Sequence, residues 1–360
     1  MLPYSPMSGI PVIHRPRIVI SMGDPAGIGP EVCLKALLRR EVRDLCRPVV
    51  VGAMETLRAV AEIIGVHPEW HDVERPEAAR DEPECINVVD VGDVDRSTVR
   101  WGQISAAAGA AAYAYVVRAA QMVMARQADA LVTGPIQKEA LNLAGHPYAG
   151  HTELLAELTE TRRYAMMLAV GRLRVVHVSG HVPLRQACDQ VRRDRVLEVV
   201  VLADEAMRRI GIARPRVGVA ALNPHGGEAG LFGREEIEQI VPAIKAARHR
   251  GITVEGPLPA DTMMAKAAAG GYDVAVAMYH DQGHVAVKLV GFTYDRSRQE
   301  WSVVRGVNIT LGLPIVRTSV DHGTAFDVAG RGVASESSMV DAIRWAVALV
   351  GGEARNVRDG

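Results

Sequence analysis

Residues 273–288 read DVAVAMYHDQGHVAVK and join a short apolar run to a cluster of ionisable groups. The run DVAVAM has the length and the valine content of a buried strand. It stops at His280 and Asp281, and a further histidine, His284, follows three residues later. Open α/β sheets bind their ligands at the carboxyl ends of their strands. The stretch therefore predicts a strand whose end carries a site, although a strand followed by a solvated turn would give the same pattern.

Two other predicted strands in this half of the chain end in the same way. RVVHVS leads to His181 and RVGVAAL leads to His225, as DVAVAM leads to His280. If the three strands are neighbours in the sheet, the three imidazoles project toward one crevice. Zinc accepts three histidine ligands, and other first-row metals also bind imidazole. The pattern favours a divalent-metal site, and the alternative is three surface histidines that never meet.

The composition is that of a globular protein with one large or two ordinary domains in 360 residues. A hydrophobic content of 48% supplies a substantial core. The formal net charge of −1 excludes a general basic field for nucleic acid, and 4% aromatic residues leave few groups for base stacking. Four cysteines without CxxC spacing, and an N-terminus without a signal peptide or membrane span, predict a cytoplasmic protein with reduced thiols.

Strand and helix patterns alternate along the chain. Residues 17–22 (RIVISM) predict the first strand, which runs into the loop GDPAGIGPE, residues 23–31, and then a helix. Such a loop can present free N–H groups to an anion, but it matches neither GxGxxG nor a P-loop, and alone it is more typical of a tight turn. An alanine-rich helix over residues 104–125 precedes another strand. The alternation predicts an α/β fold with a largely parallel sheet.

Eight motifs follow one another from about Arg17 and cover nearly the whole chain: MGDPAGIGPE, TGPIQK, AGHTELLA, GHVPLR, LNPHGGE, GPLPADT, YHDQG and GVNITLGLPIVRTSVDHGTA. In this order they resemble the 4-hydroxythreonine-4-phosphate dehydrogenase (PdxA) family of vitamin B6 synthesis. The resemblance implies two α/β/α domains with a central cleft, of the isocitrate/isopropylmalate dehydrogenase type. We expect a loose tail over residues 1–16. The expected domains are residues 17–132 plus 308–360, with a nucleotide loop, and residues 133–307, with the metal site and dimer contacts.

The resemblance also implies roles for individual residues. His181, His225 and His280, already selected by their positions after strands, match the family's ligands to one divalent metal, which could be zinc, magnesium, cobalt or manganese. The family forms a homodimer with the active site at the subunit interface, so one of these histidines is expected from the partner. Substrate contacts of the family match His151, Thr152, Lys288, Asn308, Arg317 and Asp261. Asp281 and Lys288 are the candidate catalytic groups, with metal-bound water as a third candidate to accept the hydroxyl proton.

A second likeness concerns the segment HGTAFDVAGRGVAS, residues 322–335. It resembles the adenosine-binding loop of isopropylmalate and isocitrate dehydrogenases, in which His-Gly and a following aspartate hold the adenosine. The matching residues here are His322, Gly323 and Asp327. Because a carboxylate accepts a hydrogen bond from the ribose 2′-hydroxyl and repels a 2′-phosphate, NAD is expected in preference to NADP.

The reaction implied by the family is oxidation, with decarboxylation, of 4-phosphooxy-L-threonine to 3-amino-2-oxopropyl phosphate. The polar segment TYDRSRQEWSVV, residues 293–304, predicts a surface hairpin or flap. Together with HDQGHVAVKLVGF it resembles relatives that oxidise 4-phosphorylated D-threonate or erythronate, in which a hydroxyl replaces the amine. The phosphate-binding set argues against relatives that oxidise aromatic cis-dihydrodiol carboxylates. A metal-dependent hydrolase and a catalytically silent metabolite-binding protein are the alternatives outside the dehydrogenases.

Overall fold

The computed structural model describes residues 15–82, 84–92, 94–95, 98–297 and 299–356. The expected loose tail over residues 1–16 lies almost entirely outside these described residues. Strands and helices alternate along most of the chain, as predicted. The strands, numbered in chain order, are β1 (Arg17–Ser21), β2 (Arg47–Gly52), β3 (Glu69–Asp72), β4 (Cys85–Asp90), β5 (Ala130–Thr133), β6 (Ala165–Val170), β7 (Leu173–His177), β8 (Arg216–Ala220), β9 (Thr253–Leu258), β10 (Val274–Ala277), β11 (Phe292–Asp295), β12 (Glu300–Val304), β13 (Val307–Leu311) and β14 (Val316–Val320).

The α-helices are numbered in the same way. They are α1 (Gly29–Leu37), α2 (Arg40–Leu45), α3 (Met54–Ile64), α4 (Ala106–Met124), α5 (Lys138–Leu143), α6 (His151–Leu158), α7 (Leu184–Gln190), α8 (Arg193–Arg209), α9 (Val241–His249), α10 (Ala260–Ala268), α11 (His280–Gly291) and α12 (Ser337–Asn356). None of those within the described ranges is both long enough and apolar enough to cross a membrane.

The chain folds into two compact units. The first comprises Met1–Thr161 and Leu313–Val350. Its strands lie in the order β3-β4-β2-β1-β5-β14, and each neighbouring pair is parallel. In β1, three consecutive side chains, Ile18, Val19 and Ile20, are fully buried, although neighbouring side chains point to opposite faces. This is the pattern of a parallel strand that is covered on both faces.

The second unit comprises Arg162–Gly312 and Gly351–Gly360. Its strands lie in the order β13-β6-β7-β10-β8-β9. The last four are parallel, whereas β6 runs antiparallel to both β7 and β13. Helices α10 and α11 cover the sheet with an apolar cluster that includes Met263, Ala275 and Val287. This apolar core fixes the parallel strands, and with them the polar residues that follow their ends.

The α/β class predicted from the alternation is confirmed, and the strands that precede the three histidines meet the condition that they are neighbours in the sheet. β7, β10 and β8 are adjacent and parallel, in that order. The units divide after Thr161 and after Gly312, whereas the expected divisions lay after residues 132 and 307. The segment after β5 stays with the first unit because α5 packs on α4, where Gly109 leaves room for the backbone of Ala140. β13 stays with the second unit because it pairs with β6.

The described part of residues 293–304, predicted as a hairpin or flap, belongs to a two-stranded hairpin. β11 and β12 pair antiparallel, with Phe292 opposite Val304 and Asp295 opposite Glu300. The hairpin directly follows α11, the helix that begins at His280.

Candidate active site

The junction between β10 and α11 places the predicted polar cluster in the first turn of a helix. Gln282 fixes this junction: its Oε1 accepts a hydrogen bond from the Met278 N–H at 2.7 Å, and its Nε2 donates to the carbonyl oxygen of Ala221 at 2.8 Å. Ala221 directly follows β8. The start of α11 is therefore tied to the ends of two adjacent strands, rather than being a solvated turn.

His280 is the first residue of α11, and Asp281 orients its ring. The distance from His280 Nδ1 to Asp281 Oδ1 is 2.6 Å. When the Nδ1–H donates to this carboxylate, the lone pair lies on Nε2, which is the form of imidazole that binds a metal. The hydrogen bond with His280 lowers the pKa of Asp281 below its ordinary value, so the carboxylate stays ionised. Asp281, predicted as a catalytic group, is thus placed to hold a predicted metal ligand.

Three other imidazoles of the second unit, those of His181, His284 and His177, cluster with that of His280. The ring of His181 lies 5.2 Å from that of His280, measured between centroids. His280 also stacks on His284, with centroids 3.5 Å apart and planes inclined by 14°. His284 in turn lies 4.8 Å from His177. The structure therefore brings together two of the three predicted metal ligands, His181 and His280, and places two further histidines next to His280.

The two added histidines, His177 and His284, are neutral. Burial lowers the pKa of His177 to about 4 and that of His284 to about 3. Gly283 lets α11 lie close to His177 in β7, because a Cβ at this position would overlap Nε2 of His177. Sequence reasoning overlooked His177, although a histidine inside the otherwise apolar run RVVHVS was a signal that could have identified it.

His225 lies apart from this cluster, in a loop after β8. Residues 225–229 all have positive φ values, between 43° and 80°. Such a left-handed conformation costs a non-glycine residue about 1–2 kcal/mol. The side chain of His225 is 70% exposed, and its Nδ1 lies 3.4 Å from Glu228 Oε1. Among the described residues of one chain, no three His, Cys, Asp or Glu side chains are grouped so as to hold a metal. The convergence of His225 with His181 and His280 stays a prediction.

The first unit contains a buried cation and a neutral imidazole. Arg317, in β14, is 2% exposed, and its Nη2 donates to Thr133 Oγ1 at 2.7 Å. Burial lowers the pKa of Arg317 below its ordinary value, while the charge of Glu153 acts in the opposite direction. Burial, and then the charges of Arg317 and Lys138, lower the pKa of His151 well below its ordinary value. These groups suit an anion that accepts several hydrogen bonds.

The other predicted substrate contacts are divided between the units. Thr152 is the second residue of α6 and is half-buried. In the second unit, Lys288 and Asp261 are exposed on α11 and α10. Asn308, in β13, has a buried Oδ1 with no hydrogen-bond partner in the part of the chain that the structure describes. An unsatisfied buried acceptor of this kind is one that a ligand could satisfy.

The predicted cofactor loop carries a similar unsatisfied atom. His322 donates from Nδ1 to the carbonyl oxygen of Gly323 at 2.9 Å, which leaves Nε2 buried and without a partner among the described residues. No atom lies within 4 Å of the position a Cβ would take on Gly323. Asp327 is exposed. A buried imidazole nitrogen beside an open glycine fits the polar edge of an adenosine, so the residues present suit the expected nucleotide.

Other groups of the same chain fill the space around the loop of residues 23–31. A Cβ on Gly23 would overlap the carbonyl oxygen of Pro135. Asp24 is fully buried, and its Oδ1 accepts a hydrogen bond from the Ala26 N–H at 2.8 Å. Burial raises the pKa of Asp24 to about 6. The loop is therefore the tight turn that its sequence favoured over an anion cradle.

Comparisons with known proteins agree with one another. A family model described as "Pyridoxal phosphate biosynthetic protein PdxA" matches residues 44–346. D-threonate 4-phosphate dehydrogenase of Cupriavidus necator is 45% identical over 337 residues, which cover 93% of this chain and 98% of that one. The protein of the same name from Pectobacterium atrosepticum is 46% identical over 333 residues, 92% of this chain and 98% of that one. The solved structure of 4-hydroxythreonine-4-phosphate dehydrogenase from Klebsiella pneumoniae is 43% identical, with a TM-score of 0.80, and the match covers 93% of this chain and 99% of that one. The chain belongs to the PdxA family.

Proposed function

We propose that the protein is an NAD-linked, divalent-metal-dependent dehydrogenase that oxidises a 4-phosphorylated four-carbon hydroxy acid. The observation that carries the proposal is the pair His181 and His280, whose rings lie 5.2 Å apart after two adjacent parallel strands. Asp281 orients the second of them as a metal ligand. The names of the similar proteins give the same class of reaction.

The substrate phosphate is proposed to bind Arg317. A planar guanidinium that is fixed by Thr133 and shielded from water suits a phosphate dianion better than a flexible ammonium does. Lys288 would add a second positive charge, while His151, Thr152 and Asn308 would add neutral hydrogen bonds. Asp261 is proposed as a further substrate contact. Phosphate binding at a distance from the reacting carbon would orient that carbon for oxidation.

His181, His225 and His280 are proposed to hold one divalent cation, with one of the three supplied by the partner subunit. Imidazole suits zinc, cobalt and other first-row ions, so the donor set fits such a metal. A bound cation supplies Lewis-acid polarisation of the substrate hydroxyl. Because Asp281 is already engaged by His280, its proposed role is to fix that ring. Lys288 is then the proposed catalytic side chain in contact with the substrate.

The nucleotide is proposed to be NAD, with its adenosine on His322, Gly323 and Asp327. When bound, NAD would supply the hydride acceptor for the oxidation. The exposed carboxylate of Asp327 can accept a hydrogen bond from a ribose 2′-hydroxyl and would repel the 2′-phosphate of NADP. We expect kcat/KM to be higher with NAD, and a clear preference for NADP would contradict this assignment.

Two substrates fit the proposal and differ at one substituent. 4-Phosphooxy-L-threonine, expected from the sequence, has an amine on the carbon beside the carboxylate, and the solved Klebsiella relative carries the corresponding name. D-threonate 4-phosphate has a hydroxyl there, and the curated relatives carry that name. Both present the same phosphate, carboxylate and secondary alcohol to the residues named above. Measurement of kcat/KM with each substrate therefore decides between them.

We propose a homodimer in which the outer face of α11 is covered by a second copy of the chain. Val285, Leu289 and Val290 on this helix are 58%, 78% and 54% exposed. Three large apolar side chains grouped on one exposed surface are typical of a protein–protein contact. The same helix begins at His280, so a contact along α11 would bring the second subunit near the proposed metal ligands.

NADH formation with each substrate, with and without a chelator, tests the proposal. We expect absorbance of NADH with at least one of the two substrates, loss of that signal after chelation, and its return when a divalent cation is added. Release of inorganic phosphate without NAD would instead support a metal-dependent hydrolase. Absence of turnover with both substrates in the metal-loaded protein would contradict the proposed dehydrogenase.

A further inference from the structure

The buried carboxylate of Glu236 closes the base of the loop that carries His225. Glu236 is 3% exposed. Its Oε1 accepts hydrogen bonds from the backbone N–H groups of Leu222 and Asn223, at 2.9 and 2.8 Å. Its Oε2 accepts a third from Asn223 Nδ2 at 3.0 Å. One side chain thus satisfies three donors of the turn that directly precedes His225.

The same carboxylate also packs against the middle of the loop. A Cβ on Gly227 would lie 2.6 Å from Oε2 of Glu236, so only glycine fits at this point. Gly227 belongs to the run of positive φ values that includes His225. A left-handed backbone of this kind persists only where its surroundings hold it. Glu236 contacts the loop at its start and at its centre, and no hydrogen bond in this set depends on the imidazole itself.

Glu236 is itself rigidly supported. It begins a helical turn, Glu236–Ile240, that continues directly into α9. This continuous helix packs against α8 and β9. A carboxylate is the side chain suited to the position, because it only accepts hydrogen bonds and charge-assisted bonds are stronger than neutral ones.

We propose that Glu236 is a positioning residue that holds His225 in the place from which it binds the divalent cation. The inference rests on the proposed metal site. Glu236 acts through the backbone of residues 222–229 and touches neither the substrate nor the metal. Its loss is expected to weaken metal binding by freeing the loop, while the rest of the fold stays intact.

The variant Glu236→Gln tests the inference with Co²⁺ as the probe. It keeps the size of the side chain but places an amide donor against the donors of the turn. Titration of the metal-free full-length protein should show a Kd for Co²⁺ that is about 10- to 100-fold higher than that of the wild type. Hydrogen exchange of the Leu222 and Asn223 amides should accelerate by about tenfold, because each loses a charge-assisted bond.

Glu235→Gln is the matched control. Glu235 also accepts a hydrogen bond from Asn223 Nδ2, at 2.8 Å, but it is only half-buried. Its replacement should change neither the exchange of the two backbone amides nor the Kd appreciably. If Glu236→Gln does not fold, Gly227→Ala disturbs the same contact from the other side and should raise the Kd in the same direction.

A double-variant comparison separates positioning from general destabilisation. If Glu236 acts through His225, adding Glu236→Gln to His225→Ala should not weaken the remaining Co²⁺ binding further. An equal further loss in that background would overturn the inference, as would a Glu236→Gln protein with wild-type Kd. If His225→Ala alone leaves the Kd unchanged, the proposed metal site fails instead, so the two failures are distinguishable.

Discussion

At the residue scale, burial decides which side chains around the proposed site are charged. Arg317 is a buried cation beside the neutral His151, while His177 and His284 are neutral imidazoles behind His280. A buried cation without full solvation is stabilised by an anion that replaces its water. These charge states are those that the proposed phosphate contact at Arg317 and the proposed metal ligand at His280 require.

Replacement of Arg317 by lysine should remove much of the phosphate recognition. Lysine cannot reproduce the planar guanidinium that bonds Thr133, so Arg317→Lys should lower kcat/KM for the 4-phosphorylated substrate about 100-fold. Steady-state kinetics measure this. Arg344→Lys, on an exposed ion pair with Glu41, should leave kcat/KM unchanged. Wild-type kinetics in the Arg317 variant would remove the proposed phosphate contact.

Asp24 should make the protein less stable as the pH rises. Its pKa is about 6 in the folded protein and about 3.8 in the unfolded chain, since burial disfavours the carboxylate. Between these values the unfolded chain loses its proton first, so the free energy of unfolding falls with rising pH and stays low above about pH 6.

The variant Asp24→Asn lacks this titration. Between about pH 4 and pH 8 its stability relative to the wild type should rise by at most about 3 kcal/mol, measured by urea unfolding. Asp44→Asn, at an exposed position, should show no such change. A difference between Asp24→Asn and the wild type that is the same at every pH would show that Asp24 does not titrate in this way.

At this scale the sequence predicted residue types and positions but not their partners. His181, His225 and His280 could be selected because each follows an apolar strand. The bond between His280 and Asp281 and the stack on His284 depend on distances that are set by where α11 begins. The hydrogen bonds from Leu222 and Asn223 to Glu236 depend on distances across the loop that carries His225. Motif spacing does not contain those distances, and the lowered pKa values follow from burial that only the folded chain defines.

At the element scale, the metal-site prediction depended on the condition that the three strands before the histidines are neighbours, and the order β7-β10-β8 meets that condition. The start of α11 was less evident, because Gly283 in a helix is unfavourable on propensity alone. Its place is explained by the close approach of α11 to His177. β6 was not predicted, since it pairs with β13, a segment more than a hundred residues away in sequence.

The exposed face of α11 makes a prediction about assembly. Leu289→Asp places a charge where an apolar contact with a second copy is proposed, so it should shift the dimer toward monomer. Sedimentation over a range of concentrations measures the dissociation constant. Leu143→Asp, at a residue of α5 that is 59% exposed, is the matched control and should leave the dimer intact. A dimer that is unaffected by Leu289→Asp would place the interface elsewhere.

At the scale of the whole molecule, the alternation of strands and helices predicted the α/β class with a largely parallel sheet, and the resemblance to the family implied two domains. The dividing points differ from those expected, because the packing of α5 on α4 and the pairing of β13 with β6 decide them. The proposed metal site concerns the dimer rather than one chain. Among the described residues of one chain, His181 lies near His280 and no third ligand completes a metal site, which is the arrangement expected if the partner supplies the remaining histidine.

Mixed dimers test that requirement. In each of three heterodimers, one chain carries one of the replacements His181→Ala, His225→Ala and His280→Ala, and the other chain carries a different one. The two chains are coexpressed and the heterodimer is purified. If one ligand comes from the partner, two pairs should regain one intact site and NADH formation, and the third should not. Absence of recovery in all three pairs would show that the ligands are not shared between subunits.

The most direct test of the central claim is the bound-metal content of the purified single variants, measured together with their kcat for NADH formation. We expect His181→Ala, His225→Ala and His280→Ala each to lose the metal and turnover together, while His249→Ala, at an exposed position on α9, keeps both. A His280→Ala protein that retained its metal and a near-wild-type kcat would contradict the account.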